Sequence, residues 1–302
     1  EARHARDRPR EPARRGGGDG EAGSLSSQIR LKRHLEGRKE QLEKDLAELK
    51  SLEEKQPHLA NAIKAFKAKN DLEDLSAFMS FIDSHQDSRW VPSLAASVGE
   101  IKFKTGYLSD AINLWTLAWE KGKAETDKDK AAVASHAIAH LLILDARLGR
   151  MDELKKYHQE IKGRAFYGSD EERVKSSREG LWNMEHNIGC SFKCGPFAVN
   201  SLRNAVNKTH EMSPIIEKAE STQQGTTLAQ VKGWADQVGL KYQLAKRTKG
   251  APFLTPSLIH WKLNHFATIV SEENGRFHLQ DPTFDTDGQL WVTAKALEQE
   301  TD

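Results

Sequence analysis

From Ser24 the leucines Leu31, Leu35, Leu42, Leu46 and Leu49 fall at helical spacing among Lys, Glu and Arg, and the pattern stops near Gln56-Pro57. This predicts one long amphipathic helix over 24–56. The heptads do not persist for four repeats, which favours a charged helix laying its leucine face on the next domain over a coiled-coil dimer. Beyond Gly180 the period changes. Phe197, Val199, Leu202 and Val206 form a helical stripe after Cys194-Gly195-Pro196, and Thr226 to Val238 predicts a second helix. Apolar or alternating stretches follow at Leu240–Leu244, Leu258–Leu263, Phe266–Val270 and Phe277–Leu279, the last two joined by Glu272-Glu273-Asn274-Gly275, a hairpin turn signal. Ala294 to Glu300 reads as a final helix. Helices first and an antiparallel sheet afterwards make the fold class α+β.

Between these regions, over 57–180, a short pattern recurs. Asn70-Asp71-Leu72-Glu73-Asp74-Leu75, Gly106-Tyr107-Leu108-Ser109-Asp110-Ala111 and Gly149-Arg150-Met151-Asp152-Glu153-Leu154 each carry a turn residue, an apolar residue two later, an acid four later and an apolar residue five later. The starts lie 36 and 43 residues apart, room for a helix, a turn and a second helix. The middle copy, with Leu94, Ala95, Val98, Ile101, Tyr107, Ala111, Ile112, Trp115 and Ala118, resembles a tetratricopeptide repeat. That resemblance implies a helical-repeat domain with a shared core and a concave surface for a protein partner. Trp115 and Trp119 sit one turn apart and read as core.

At 302 residues the chain has room for two domains. It is 37% hydrophobic and 29% charged, a globular mix, and 45 basic against 44 acidic residues leave +1. Bulk charge therefore singles out no partner, nucleic acid included. No apolar run reaches the roughly 18 residues of a membrane span. Residues 1–23 hold six arginines, five glycines, two prolines and almost nothing apolar beyond alanine, the composition of a disordered tail; Gly16-Gly17-Gly18 reads as a flexible linker within it. The start at Glu1 and the end at Asp302 read as those of a fragment.

Two cysteines, Cys190 and Cys194, are too few for a disulfide scaffold. A thiol peptidase needs a thiolate, a base to keep it ionised and a third group to orient the base. Cys194 precedes Gly195-Pro196 at a predicted helix start, where free N–H groups and the dipole lower a thiol pKa. His265 opens one strand of the predicted hairpin and Asp281 ends the other, so antiparallel pairing brings them together. Other readings fit less well. His186, Cys190 and Cys194 recur every four residues and with His260 would suit zinc, but Gly189 and Gly195-Pro196 break the helix this needs. The spacing of Cys190 and Cys194 is unlike a redox CxxC pair. His136-Ala137-Ile138-Ala139-His140 has the spacing of a zinc helix without its glutamate, and His260 and His278 read as hairpin-face residues. No metal site is expected.

Four local blocks carry a resemblance. Lys193-Cys194-Gly195-Pro196-Phe197-Ala198, then Gly225-Thr226-Thr227-Leu228 with Gly239-Leu240, then Asn264-His265-Phe266-Ala267-Thr268-Ile269-Val270, then Asp281-Pro282, are similar to the bacteriocin-processing cysteine peptidases, which cleave leader peptides after a double glycine. The resemblance covers about 181–290. It implies a papain-like cysteine peptidase domain over 181–302, with Cys194 as nucleophile, His265 as base and Asp281 as orienting residue. It also implies a peptide or protein substrate and no cofactor. Peptidase-like domains of large bacterial Rhs/YD-repeat proteins look similar, which implies a bacterial, extracytoplasmic setting within a longer protein. The family's oxyanion glutamine, six residues before the nucleophile, is Ile188 here; Asn187, one residue earlier, is the substitute amide. The alternative is a catalytically degenerate peptidase-like binding module on a repeat scaffold.

Overall fold

A computed structural model describes residues 32–33, 36–39, 56–69, 71–281 and 288–301. The tail at 1–23 lies outside the described residues, as does most of the predicted helix 24–56, of which 32–33 and 36–39 are helical. Seven helices follow: α1 (Pro57–Ala68), α2 (Ser76–Ser84), α3 (Val91–Lys104), α4 (Leu108–Gly122), α5 (Lys128–Arg147), α6 (Met151–Glu160) and α7 (Ser169–His186). Their ends follow local chemistry. Proline opens α1, where its missing N–H forfeits no bond, and the Asp127 carboxylate caps α5 by accepting from the N–H groups of Asp129 and Lys130.

The three recurring sequence turns fall between α1 and α2, α3 and α4, and α5 and α6. Gly106 and Gly149 occupy left-handed backbone there, at φ +85° and +72°. The paired helices run 12 and 9, 14 and 15, and 20 and 10 residues. The recurrence thus marks helical hairpins of unequal size. One apolar cluster spans all seven helices, with Trp115, Trp119, Leu141 and Leu142 at its centre.

The helix α7 runs through the expected domain boundary at 180/181. A short 3-10 turn at Ile188–Cys190 leads to α8 (Cys194–Asn207), α9 (Pro214–Glu217) and α10 (Leu228–Gln237). Thr227 closes the start of α10 with a capping box to Gln230. A four-stranded antiparallel sheet follows in sequential order, β1 (Ser257–Trp261), β2 (His265–Glu273), β3 (Arg276–Gln280) and β4 (Gln289–Thr293), then α11 (Ala294–Glu300). Two expectations are corrected. Leu240–Leu244 forms no strand; Leu240 is buried in the core and Tyr242 packs against it. The sheet also has a fourth strand, β4, that the hydrophobic pattern does not predict. No helix among the described residues is long and apolar enough to cross a membrane.

The sheet is covered on both sides. Phe266 joins a core with Val199, Leu202 and Val231 of α8 and α10. Ala267 and Ile269 join another with Leu297 of α11 and, from the helical array, Tyr107 and Leu108. This double burial explains why β2 is closed to solvent from His265 to Ile269. The array and the sheet meet tightly at Gly106, where an added Cβ would lie 2.4 Å from Val292 Cγ1.

Gly106→Ala should therefore cost both backbone strain and overpacking, about 2–5 kcal/mol in urea unfolding. Gly163, at φ +84° with nothing within 4 Å of where a Cβ would stand, should cost only the strain on conversion to alanine, about 1–2 kcal/mol. Equal losses would remove the argument that the array docks on β4 through Gly106.

Candidate active site

Cys194 is the first residue of α8 and is half-buried. Phe192, two residues earlier, adopts left-handed backbone at φ +57° and turns the chain into the helix. Gly195 then passes so close to Thr226 that a Cβ would lie 2.9 Å from the threonine Cβ. Any larger residue would push the first turn of α8 off the loop before α10. Pro196 stands third in the helix, one position later than its local sequence suggests, and still inside the turn whose N–H groups have no intrahelical acceptor.

His265 enters β2 directly after the three-residue loop Lys262–Asn264, closed by Asn264 N–H donating to the Trp261 carbonyl at 3.0 Å. Asn264 takes the left-handed position (φ +57°) that such loops require and that asparagine tolerates. Thr268, fully buried, donates its hydroxyl to the Ala198 carbonyl at 2.7 Å and so sets the height of α8 on β2.

Asp281 reaches His265 because of an irregularity. The hairpin turns at Asn274 and Gly275, both at positive φ, with Glu273 opposite Arg276. Carried on regularly, that register would set Asp281 opposite Thr268, on the face of the strand away from His265. The register instead shifts between Ile269 and Ser271, so Thr268 faces Gln280 and Asp281 comes level with Ala267, on the His265 face. His265 Nε2 and Asp281 Oδ2 then meet diagonally at 2.6 Å, each residue only 3% exposed.

With Nε2 given to Asp281, Nδ1 is the nitrogen left for the Cys194 sulfur, with which His265 also hydrogen-bonds. The Phe266 N–H donates to the same sulfur. Burial pushes the Cys194 thiol up, but these hydrogen bonds and the nearby imidazolium outweigh it, and the thiol lies below its ordinary value. Burial likewise opposes charge on His265, and Asp281 and Cys194 together outweigh it, so the imidazolium is favoured. Both directions favour a thiolate–imidazolium pairing of the two groups.

A cleft of about 550 Å³ opens beside Cys194, within the size range of ligand pockets. One wall comes from the helical array, through Arg150 and Asn183; the other carries Gln223 and Asn264. Asn187 is placed elsewhere: it is exposed, does not line this cleft, and its Nδ2 donates to Asn183 Oδ1 at 3.0 Å. The residue it engages, Asn183, is the one that faces the cleft. Ile188 is 40% exposed and Cys190 is exposed. His186 is exposed too, bonded to the Trp182 carbonyl, and the zinc grouping His186, Cys190, Cys194 and His260 does not assemble among the described residues. Sequence reasoning misses Asn264, Thr268 and Asn183; of the three, only Asn264 carries a local signal, an asparagine at a tight turn.

Residues 191–300 match the sequence model of the Peptidase C39 family. No curated protein and no solved structure matches the chain. The family match supports a cysteine peptidase-like domain. It takes in Cys194, His265 and Asp281 and leaves Asn183 and Asn187 outside.

Because the Cys194 thiol is lowered and His265 raised, alkylation of Cys194 by iodoacetamide should reach its plateau at a lower pH than that of an ordinary thiol. His265→Ala should restore a steep rise through the ordinary thiol range, about pH 8–9. A wild-type profile that climbs through that same range would rule out the ion pair.

Proposed function

We propose that the region from Ser191 onward is a papain-like cysteine peptidase that hydrolyses a peptide bond through a thioester, with Cys194, His265 and Asp281 as its triad. The observation that carries this reading is the buried chain of hydrogen bonds from the Cys194 sulfur through His265 to Asp281, inside the stretch that matches the peptidase family. The Cys194 thiolate attacks the carbonyl carbon of the substrate, and the carbonyl electron pair moves onto oxygen. Collapse breaks the C–N bond as the His265 imidazolium protonates the leaving amine. Neutral His265 then takes a proton from water, whose oxygen attacks the thioester; the acid product leaves and the thiolate is restored. Asp281 keeps Nε2 as a donor and holds Nδ1 towards the sulfur.

The tetrahedral oxyanion is held by the N–H of Cys194 at the start of α8 and by the side-chain NH2 of Asn183. Two features support Asn183 over Asn187. It lines the cleft, and its Oδ1 already accepts from Asn187, which leaves its NH2 group for another acceptor. The helical array serves as a substrate wall, with Arg150 held in place by ion pairs to Asp145 at 2.9 Å and Glu153 at 3.1 Å. The substrate is a peptide segment carrying a glycine pair before the cleaved bond, as the resemblance of the four sequence blocks implies.

With peptides that differ only in Gly-Gly or Ala-Ala before the bond, cleavage should favour Gly-Gly, and Cys194→Ala should abolish it. Asn183→Ala should lower kcat by about 10²–10³, the usual loss for an oxyanion donor, while Asn187→Ala should cost less than about tenfold. Persistent cleavage by Cys194→Ala would sink the nucleophile; the reverse order for the two asparagines would return the oxyanion role to Asn187.

A further inference from the structure

Within the helical array, three helices converge on a set of ligands that the proposed peptidase chemistry does not use. Glu100 lies on α3, His136 and His140 lie one turn apart on α5, and Asp170 lies in the first turn of α7. One ligand atom from each of Glu100, His136 and His140 lies within 4.8 Å of the other two. His136 Nε2 is 2.7 Å from Glu100 Oε1, and its Nδ1 is 3.0 Å from Asp170 Oδ1. His140 stacks on Trp115 at 4.9 Å and meets His136 edge-on at 4.6 Å. Its Nε2 is buried and has no hydrogen-bond partner among the described residues.

An ion pair explains His136, held between two carboxylates, but not His140. A buried ring nitrogen with no partner forfeits its hydrogen bond to water and calls for a reason. Two imidazoles and a carboxylate are a zinc-type donor set, three protein ligands with one position open to water. Tetrahedral bonds of about 2.0–2.1 Å put ligand atoms roughly 3.3 Å apart, so separations of up to 4.8 Å must close by up to about 1.5 Å on an ion. Asp170 already makes the outer contact that ligating histidines usually have, a carboxylate on the ring nitrogen that does not face the metal. Two cations stand nearby. Arg38 lies 4.0 Å from Glu100 Oε1, and Arg173 bonds to Asp170 Oδ1 at 2.7 Å; each is ion-paired to a carboxylate of the cluster, and the Arg173 charge also reaches His140.

We propose that Glu100, His136 and His140 bind a divalent cation of the zinc class, with Asp170 orienting His136. The ion would pin α3, α5 and α7 to one another. The inference is independent of the peptidase reading, since none of the four residues lines the cleft.

The test uses the full chain without a histidine tag, stripped with a chelator and titrated with cobalt and then zinc. One equivalent of cobalt should give tetrahedral visible bands without the near-ultraviolet absorption of a thiolate ligand, and zinc should displace it. Zinc should also raise the Tm of the wild type in a concentration-dependent way. Glu100→Gln and His140→Ala should weaken zinc binding by more than about 100-fold and Asp170→Asn by about 10–100-fold. Glu100→Gln and Asp170→Asn preserve shape, so they serve if His140→Ala does not fold. Absence of saturable binding at micromolar metal would overturn the proposal, as would zinc affinity unchanged in Glu100→Gln, or a cobalt spectrum with thiolate absorption, which would place the ion at Cys190 or Cys194.

Discussion

The site rests on one buried contact, the hydrogen bond between His265 and Asp281. Removing an imidazolium and a carboxylate from water costs several kcal/mol apiece, and their attraction offsets this only when the geometry is close and the remaining polar atoms are engaged. Here the second nitrogen of His265 is engaged by the Cys194 sulfur, so the histidine charge is shared between two anions. Each backbone irregularity nearby serves that arrangement. Asn264 turns the chain into β2, Phe192 turns it into α8, and the register shift between Ile269 and Ser271 rotates Asp281 to the face of His265.

The same requirement explains why the helical array and the sheet are not separate bodies. Tyr107 and Leu108, at the turn into α4, share a core with Ile269 and Leu279, and the Glu300 carboxylate accepts from the Ser109 N–H at 3.0 Å. A strand that carries a buried charged pair must be covered on both faces, and the array supplies part of that cover. The cleft beside Cys194 is a by-product of this docking. One of its walls belongs to the helical array, so the cleft and the geometry of Cys194, His265 and Asp281 depend on a common interface.

Much of this was legible from the chain. Short signals with a steric cause transferred directly: Asn274-Gly275 makes the hairpin turn, Cys194-Gly195-Pro196 opens a helix, and the glycines of the recurring turns take left-handed backbone. Patterns that depended on a distant partner did not. Leu240–Leu244 alternates like a strand but finds no strand to pair with, while Gln289–Thr293, too short to stand out, is a strand because β3 offers it an edge. Asn187 was the nearest amide in sequence to the missing glutamine. In space Asn187 is not part of the cleft lining but bonds to Asn183, one helical turn earlier, which is.

The amino-acid sequence by itself determined the α+β order, the helical hairpins, the candidate nucleophile and base, and the β2–β3 hairpin, because each follows from residues within a few positions of one another. Tertiary structure alone decided which face Asp281 occupies, since one extra residue in a strand reverses every side chain beyond it. It alone built the cleft wall from the helical array. It also brought Glu100 to the histidine pair at His136 and His140, whose local sequence lacks the acid, because a ligand 36 residues away is set by how helices pack and leaves no mark in local spacing.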